Sequence, residues 1–368
     1  MQRWLTLTIL CLSGGTIFML PFLREVYYIP IQQAFSFNHT QMGVLSSVFG
    51  TASLLAYFPG GWLADRFSSR KLMSSGLLGV ALGGVYYSTF PSYSISIVIH
   101  AFWGLCTSLV FWGAMIKATR NWGRTNEQGR AFGLLESGRG VFELVSSSLL
   151  LAFFAWVGSQ ADALSQVIIL FSLCNASLAV LVWLFLKDTV GDKTGEGTKT
   201  KLGLKEIIAV LRMPAVWLIS MIVLTSYSAY WGAYYFAPYA TDIFGLSVVI
   251  GASLAVGKMW LKPVVAVCAG FAADKLGVAN TVFYCLLAMT LCFGVFSVLP
   301  GGDAYLVVML INVVIISIGV FALRGLYFAL LSEGGISSAA TGTAVGVISA
   351  IGFTPDVFMP LLGGILLD

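Results

Sequence analysis

Charged residues are scarce in this chain. Asp, Glu, Lys and Arg make up 10 % of its 368 residues, whereas apolar residues make up 58 %, and the mean hydropathy is +0.91. A soluble domain needs far more charge to cover its surface. Histidine occurs only twice, and the six cysteines fall inside apolar segments, without the spacing of a metal site or a disulfide framework. The composition therefore excludes a soluble domain and favours a membrane protein.

Motifs of enzymatic chemistry are also missing. We find no glycine-rich nucleotide loop, no metal-ligand spacing and no convincing catalytic triad. No polar segment is long enough for a separate hydrolytic domain. The sequence therefore predicts a protein that is not an enzyme, that holds no cofactor and no metal, and that binds no nucleic acid.

Apolar runs long enough to cross a bilayer follow one another along nearly the whole chain. In lipid every backbone polar group needs an internal partner, so continuous apolar runs of this length favour helices. We predict an all-α polytopic membrane protein with eleven spans, at residues 4–33, 41–63, 72–90, 94–118, 130–157, 164–186, 214–238, 248–272, 280–299, 304–330 and 341–366.

A polar connector divides these spans into six and five. The predicted domains are an N-terminal six-helix bundle at 1–186, a solvated linker at 187–213 and a C-terminal bundle at 214–368. Glu206–Arg212 is expected to form a short interfacial helix within the linker. Because the chain stops at Asp368 after an odd number of spans, we expect that a twelfth helix is missing, through a fragment or a truncated gene. A native eleven-span protein is the alternative.

Positive charge lies mostly on one side of the predicted membrane. Fifteen of the twenty Lys and Arg residues fall at the N-terminus, in the connector or in the loops on that side. The opposite loops contain only Arg24 among basic residues. By the positive-inside rule, the N-terminus and the connector are cytoplasmic in a plasma (inner) membrane protein.

Two short turns carry the most informative motif. The first runs from Gly61 to Leu72, and its matching residues are Gly61, Leu63, Ala64, Asp65, Arg66, Arg70 and Leu72. A weaker copy contains Gly270, Ala273, Asp274, Lys275 and Gly277 but lacks the later basic pair. Each follows an even-numbered span. Both turns resemble the signature loop of the major facilitator superfamily, a family of secondary transporters.

The resemblance implies a fold and a gate. The fold would be two pseudo-symmetric six-helix bundles, in a monomer that moves a small molecule across the lipid bilayer by alternating access. The gating residues would be Gly61, Asp65, Arg66, Arg70, Gly270, Asp274 and Lys275, which would latch the two halves in the outward-open state. Independently, Asp65 at a helix end can accept bonds from the free N–H groups at the start of a neighbouring helix. Alternatively, the cations of these loops only fix the topology.

Ionisable residues inside the spans point to a binding site, because each is costly in lipid without a partner or a function. The fifth span carries Glu136, Arg139 and Glu143 on one face, and the eighth carries Lys258 and Lys262 one turn apart, at about the depth of Arg139–Glu143. The resemblance places these two spans face to face. A local ion triad within the fifth span is the simpler interpretation.

The excess of cations at this depth suggests an anionic substrate. We expect Lys258, Lys262 and Arg139 to attract a carboxylate, phosphate or sulfonate. Glu136, Glu143 and Asp356 are candidates for proton coupling or for salt bridges. A rival interpretation is a Glu143–Lys258 salt bridge that opens during transport, with the substrate elsewhere.

An aromatic stripe on the seventh span is a further candidate for contact with substrate. Its members are Tyr227, Tyr230, Trp231 and Tyr234, although plain packing is the commoner role for membrane aromatics. Arg324, near the end of the tenth span, is added to the substrate-binding set.

Three functions remain open. The first is a small organic anion importer that works by symport with H⁺ or Na⁺ or by exchange. The second is a proton-coupled exporter of drugs or cations, with Glu136, Glu143 or Asp356 as the binding acid. The third is a non-transporting sensor or an inactive remnant.

Overall fold

The structure is a computed structural model that describes residues 2–124, 126–158, 161–187, 204–233, 236, 239–240, 243–246 and 248–359. These ranges contain helices and turns and no strand. The helices are α1 (Gln2–Thr16), α2 (Arg24–Phe35), α3 (His39–Arg66), α4 (Ser69–Tyr87), α5 (Tyr93–Gly104), α6 (Gly113–Trp122), α7 (Gln128–Val157), α8 (Ala161–Phe185), α9 (Leu204–Leu211), α10 (Pro214–Gly232), α11 (Val248–Leu276), α12 (Val278–Val298), α13 (Leu306–Leu326), α14 (Leu330–Glu333) and α15 (Thr341–Gly352).

The long helices confirm the all-α membrane architecture. Within the described ranges, eight helical segments are long and apolar enough to cross a bilayer. The three other predicted spans fall on α1 with α2, on α4 and on α11. A short helix, α9, lies where one was predicted in the linker, and its interfacial position stays a prediction.

The first predicted span, 4–33, is wrong as a single helix. It is broken between α1 and α2, where residues 17–23 form turns. Pro21 lies in this break, and a proline removes a backbone donor and clashes with the carbonyl four residues before it. Apolar length alone did not reveal the interruption.

The fourth predicted span contains a π-helical stretch, Leu105–Trp112, between α5 and α6. Gly60 of α3 packs directly on it. A Cβ on Gly60 would lie 2.5 Å from the carbonyl oxygen of Ser108 and 2.7 Å from that of Leu109. Single π-turns often mark functional sites, and this longer one has no signal in the apolar pattern.

Three other predicted spans end differently or are described only in part. The seventh, 214–238, forms α10 to Gly232, Phe236 is also helical, and residues 234–235 and 237–238 lie outside the described residues. The tenth, 304–330, forms α13 to Leu326 and then a turn. In the eleventh, 341–366, α15 ends at Gly352, residues 353–354 form a turn, and residues 355–359 are helical again. The remainder of the eleventh span lies outside the described residues.

The described chain groups into two compact units. The first unit comprises Met1–Trp122, Gly138–Val216 and Ile336–Ala350, and in it α4 packs on α8 and α3 on α5. The second comprises Gly123–Ser137, Trp217–Gly335 and Ile351–Asp368, and in it α13 packs on α11 and α12. These units follow packing and not chain order, and the division at 1–186 and 214–368 stays a prediction.

Candidate transport site and gating contacts

Glu136 of α7 is the centre of the candidate site, in the second unit. Its carboxylate oxygen Oε1 lies 3.1 Å from Nε of Arg324 on α13 and 3.6 Å from Nζ of Lys262 on α11. Glu136 is buried, with 5 % of its surface exposed. We call Glu136, Lys262 and Arg324 the charged triad.

Small residues bring the three helices of the triad together. A Cβ on Gly325, next to Arg324, would lie 3.6 Å both from the Cα of Gly133 and from the Cβ of Ala266. Gly133 precedes Glu136 by one turn, and Ala266 follows Lys262 by one turn. Close backbone approach at small residues therefore allows long charged side chains from α7, α11 and α13 to meet.

Aromatic side chains of α10 cover Arg324. Its guanidinium carbon lies 4.4 Å from the centre of the Tyr230 ring and 5.7 Å from that of Tyr227, distances at which a cation is attracted to the ring face. Tyr227 is also hydrogen-bonded to the carboxyl of Asp356, and Nε1 of Trp231 donates to Oδ1 of Asp356 at 2.9 Å. These residues surround the triad with polar groups that a ligand can use.

The charges in this cluster do not cancel within the triad. Lys262 and Arg324 contribute two positive charges and Glu136 one negative charge, which leaves one positive charge. Both cations are largely buried, at 17 % and 15 % side-chain exposure. In a medium of low dielectric, an excess charge acts strongly on any nearby ion.

Two contacts are made by predicted gating residues, and we call them the first and second gating contacts. The first joins α3 to α15, in the first unit. Oδ1 and Oδ2 of Asp65 accept hydrogen bonds from the backbone N–H groups of Gly342 and Thr343, both at 2.6 Å. A Cβ on Gly61 would overlap the carbonyl oxygen of Gly342 and lie 2.7 Å from the Cα of Gly346. The glycine allows the two backbones to touch, and the aspartate satisfies the free donors at the start of α15.

The second gating contact joins α11 to α7, in the second unit. Both carboxylate oxygens of Asp274 accept from the backbone N–H of Arg130, each at 3.2 Å, and Nε of Arg130 lies 3.6 Å from Oδ2. A Cβ on Gly270 would lie 2.6 Å from the carbonyl oxygen of Gly129 and 3.2 Å from the Cα of Gly133. The arrangement matches the first contact: a glycine, an aspartate four residues later, and the N-terminus of another helix.

Comparison with known proteins gives the family. Residues 5–367 match the Major Facilitator Superfamily. The chain belongs to this superfamily.

Three similar proteins illustrate the match. The inner membrane protein YqcE of Escherichia coli strain K12 is 32 % identical, over 98 % of this chain and 87 % of its own length. Probable anion transporter 6, chloroplastic, of Arabidopsis thaliana is 25 % identical, over 94 % of this chain and 69 % of its own. The crystal structure of the Major Facilitator Superfamily transporter FucP in the outward conformation has a TM-score of 0.76 and 16 % identity, covering 99 % of this chain and 92 % of that one. The chain is thus a multi-pass integral membrane protein with a transporter fold.

Most of the predicted substrate-binding residues of this superfamily member lie in the second unit. The structure brings the predicted residues Glu136, Lys262 and Arg324 together as the triad. Tyr227, Tyr230, Trp231 and Asp356, which were also predicted, lie next to it. Tyr234 lies outside the described residues. Glu143 is half-buried on α7, and its role stays a prediction.

Two predicted binding cations contact the ends of helices. Nζ of Lys258 donates to the carbonyl oxygen of Ala233, just after α10, at 2.7 Å. Nε of Arg139 donates to the carbonyl oxygen of Gly14, near the end of α1, at 3.1 Å, and its guanidinium faces the rings of Phe18 and Trp112. Cations are favoured at the C-terminal ends of helices, where carbonyl groups lack helical partners.

Arg120, on α6, is a gating candidate that the sequence analysis did not include. It is buried, and it donates to the carbonyl oxygens of Ile336 and Ser337 and to Oγ1 of Thr341, at the start of α15. On the same helix, Nζ of Lys117 donates to the carbonyl oxygen of Ala64 at 2.9 Å. Nothing in the sequence near Arg120 signals partners more than 200 residues away.

The loop cations contact aromatic rings. Arg66 lies 4.0 Å from the ring centre of Trp62, and Arg70 lies 5.1 Å from that of Trp183. Lys275, the corresponding residue of the second loop, is exposed. Among the described residues, no group of three or more His, Cys, Asp or Glu side chains is placed to hold a metal ion.

Proposed function

We propose that the protein is a secondary transporter that imports a small organic anion across the inner membrane by alternating access. The observation that supports this most directly is the charged triad, in which one buried carboxylate lies between two cations. Lys262 and Arg324 each have several N–H donors, so both can bind an anion beside Glu136. An anion at this position would pair with both cations.

The surroundings of the triad suit an anion that also carries hydroxyl groups. Tyr227, Tyr230 and Trp231 supply hydroxyl and indole groups beside Arg324. Guanidinium groups bind carboxylates with two parallel hydrogen bonds, and aromatic walls suit the carbon skeleton. A sugar acid or a comparable carboxylate is the ligand that this chemistry favours.

Transport by alternating access also requires contacts that open and close, and we propose that the two gating contacts have this role. Asp65 and Asp274 each hold the start of a helix from the other half of the sequence. In transporters of this type the halves rock around a fixed site, so these contacts have to form and break in each cycle. We place them on the cytoplasmic side, with the N-terminus, and we propose that the protein acts as a monomer.

The name of one full-length relative supports the substrate class. Probable anion transporter 6 of Arabidopsis thaliana matches nearly the whole of this chain. Its name identifies anions as the cargo of that protein. We take the same broad class as the first one to test here.

Two rival functions predict different ligands. A proton-coupled exporter of cations would bind its cargo at Glu136 or Asp356 and would not depend on Lys262. A sensor on a transporter fold would bind a ligand or a partner protein without any flux. The triad favours the anion transporter over both, because two of its three charged side chains are cations whose N–H groups can bind an anion.

The test compares two ligands with nearly the same skeleton. D-gluconate carries one carboxylate, and D-glucitol has a hydroxymethyl group in its place. We expect D-gluconate, but neither D-glucitol nor tetraphenylphosphonium, to raise the melting temperature of the purified protein. A ligand at one hundred times its Kd stabilises the folded state by about 2.7 kcal/mol, which gives a shift of a few degrees.

Variants link the ligand to the site. Lys262→Gln removes one cation of the triad, and we expect it to abolish both the D-gluconate shift and saturable uptake into proteoliposomes. Lys258→Gln is the companion variant on the same helix, and it should also reduce uptake if Lys258 attracts the anion. Stabilisation by tetraphenylphosphonium alone would instead support the exporter. Binding of D-gluconate without flux would support the sensor.

A further inference from the structure

We infer that one water molecule binds in a small cavity at the break of the first span, held by the side chains of Tyr87 and His100. The cavity lies within the first unit, so the inference does not depend on the proposed anion site. The bound water gives the broken span a polar link to α4 and α5.

The cavity lies between the break of the first span and the helices beside it. Pro21 and Leu23 line it from the break, Met42 from α3, Tyr87 from the end of α4 and His100 from α5. About 10 Å³ of its volume is open to the centre of a water molecule. That is close to the smallest space that holds one water, and it is too little for a larger ligand.

Two residues that line the cavity carry buried polar groups. Tyr87 is 2 % exposed and His100 is 6 % exposed, and their ring centres lie 5.4 Å apart. Among the described residues, neither the hydroxyl of Tyr87 nor Nε2 of His100 has a hydrogen-bond partner. Buried polar groups that lack a protein partner are typically bonded to ordered water, which makes two to four hydrogen bonds.

The chemistry of these two groups selects water. Nδ1 of His100 lies 2.8 Å from the carbonyl oxygen of Ser96, which can only accept, so Nδ1 carries the proton. The ring packs against Tyr87 and Trp103, where a charged form would lack solvation, so Nε2 is the acceptor of a neutral imidazole. Water can donate to Nε2 and accept from the hydroxyl of Tyr87, whereas a halide ion has nothing to donate.

The position of the water suits a break in a helix. Sharp kinks occur at proline and where water enters the ladder of backbone hydrogen bonds. Pro21 lines the cavity together with Arg24, whose Nη1 donates to the carbonyl oxygen of Met42 at 3.1 Å. The water therefore lies where the start of α2 is attached to α3, and it connects this region to α4 and α5 through Tyr87 and His100.

Radiolytic labelling tests the site directly. X-ray pulses split water into hydroxyl radicals, which oxidise side chains next to the water from which they form, and methionine reacts readily. Met42 lines the cavity and is 1 % exposed, whereas Met73 of α4 is 0 % exposed and is not part of the cavity wall. We expect X-rays to oxidise Met42 of the purified full-length protein several times faster than Met73. Equally slow oxidation of the two would overturn the inference.

Hydrogen peroxide is the control for opening of the structure. It is larger than water and reaches the protein from the bulk solvent, so it should leave both methionines intact. Oxidation of Met42 by peroxide as readily as by X-rays would show that solvent enters freely, and it would also count against a single bound water.

Two neighbouring tyrosines provide matched variants. Tyr87→Phe removes one partner of the water, and Tyr86→Phe is the control, because Tyr86 is 52 % exposed. We expect Tyr87→Phe to slow the X-ray oxidation of Met42 several-fold and Tyr86→Phe to leave it unchanged. Oxidation of Met42 in Tyr87→Phe at the rate of the wild type would refute the role of the hydroxyl.

The melting temperature adds a test by its direction. If water binds the hydroxyl, Tyr87→Phe loses a hydrogen bond and the melting temperature falls. If the cavity is dry, the same variant removes an unsatisfied buried hydroxyl, and the melting temperature rises. We expect a fall in Tyr87→Phe and no change in Tyr86→Phe, and a rise in Tyr87→Phe would overturn the inference.

Discussion

Asp65 and Asp274 each accept hydrogen bonds from the start of another helix, in two different parts of the molecule. The groups that donate to them differ. Asp65 gives each oxygen its own backbone N–H, on Gly342 and Thr343, at 2.6 Å. Asp274 shares the N–H of Arg130 between both oxygens at 3.2 Å, also accepts from the backbone N–H of Gly129, and adds an ion pair with Arg130 at 3.6 Å. The first contact is therefore built mainly on short bonds to backbone, and the second includes a side chain that is 35 % exposed.

The neighbours increase this difference. At the first contact, the buried Arg120 of α6 donates to three acceptors just before and at the start of α15. At the second contact, Arg130 also lies 3.5 Å from Glu127, on its own helix. A buried set of hydrogen bonds and a partly exposed ion pair differ in strength, because water and salt screen the latter. We therefore expect the second contact to open more readily than the first.

The largest effect on transport is expected when Gly61 or Gly270 is replaced by alanine, which adds a methyl group where two helices meet. Gly61→Ala would place a Cβ on the carbonyl oxygen of Gly342, a backbone atom that cannot rotate aside, so we expect a cost above the usual range of about 1–3 kcal/mol for overpacking. Gly270→Ala meets somewhat more distant atoms, so its effect on transport should be smaller. Gly50→Ala on α3 is the control, because a Cβ there has nothing within 4 Å. Counterflow in proteoliposomes measures the three variants, and equal rates for all would show that the helices are not in obligatory contact.

The next effect comes from neutralising each aspartate. Asp65→Asn loses a charged acceptor of two N–H groups, and hydrogen bonds to charged groups contribute about 1.5–3 kcal/mol. Asp274→Asn should cost less, about 1 kcal/mol, as expected for an anion near a helix N-terminus. We expect Asp65→Asn to reduce transport clearly with membrane insertion unchanged. Full transport by Asp65→Asn would refute the latch role of the first contact.

Replacing Arg120 or Arg130 by glutamine should have a smaller effect on stability and transport, and the two variants should differ from each other. Arg120→Gln removes the guanidinium donor of the Ile336 carbonyl, whereas the Ser337 carbonyl keeps the N–H of Ala340, and a buried acceptor that loses its donor costs about 1–3 kcal/mol. Arg130→Gln breaks a partly exposed ion pair, which contributes about 0–1 kcal/mol. Raising the salt concentration should reproduce the Arg130→Gln phenotype in the wild type and should not reproduce that of Arg120→Gln. Melting temperatures and uptake rates at two salt concentrations test this.

The smallest effect is expected at the loop cations. Arg66 and Arg70 lie over Trp62 and Trp183, and an exposed cation–π contact contributes about 0.5–1 kcal/mol. Arg66→Gln and Arg70→Gln should therefore slow transport slightly, whereas Lys275→Gln in the second loop should have no measurable effect. A strong loss in Lys275→Gln would contradict the contrast between the two loops.

Much of the fold was predictable because its cause is local. Apolar runs between charged loops located the long helices, and the repeated motif around Asp65 and Asp274 indicated the family. The lysines of the eighth span were also expected near the two glutamates of the fifth, but their depth was matched to Arg139–Glu143, and the pair that forms is Lys262 with Glu136. The site roles themselves stay predictions.

The remaining features depend on contacts between distant parts of the chain. Arg324 pairs with Glu136, and Arg120 binds Ile336, through packing that no local pattern records. Glu333, near Arg324 in sequence, instead accepts from the N–H groups of Val278 and Ala279 at the start of α12. The break at residues 17–23 had only Pro21 as a signal.

Because the first span is broken, Arg139 contacts the C-terminal end of a helix. Its partner is the carbonyl of Gly14, near the end of α1, just before the break. Lys258 meets the carbonyl of Ala233 in the same manner, where α10 ends. The C-terminal end of a helix carries a partial negative charge of about half an electron. Any change in how α1 or α10 bends would thus alter the electric potential at a half-buried cation, Arg139 or Lys258, and so link the movement of a helix to the electrostatics of its neighbour.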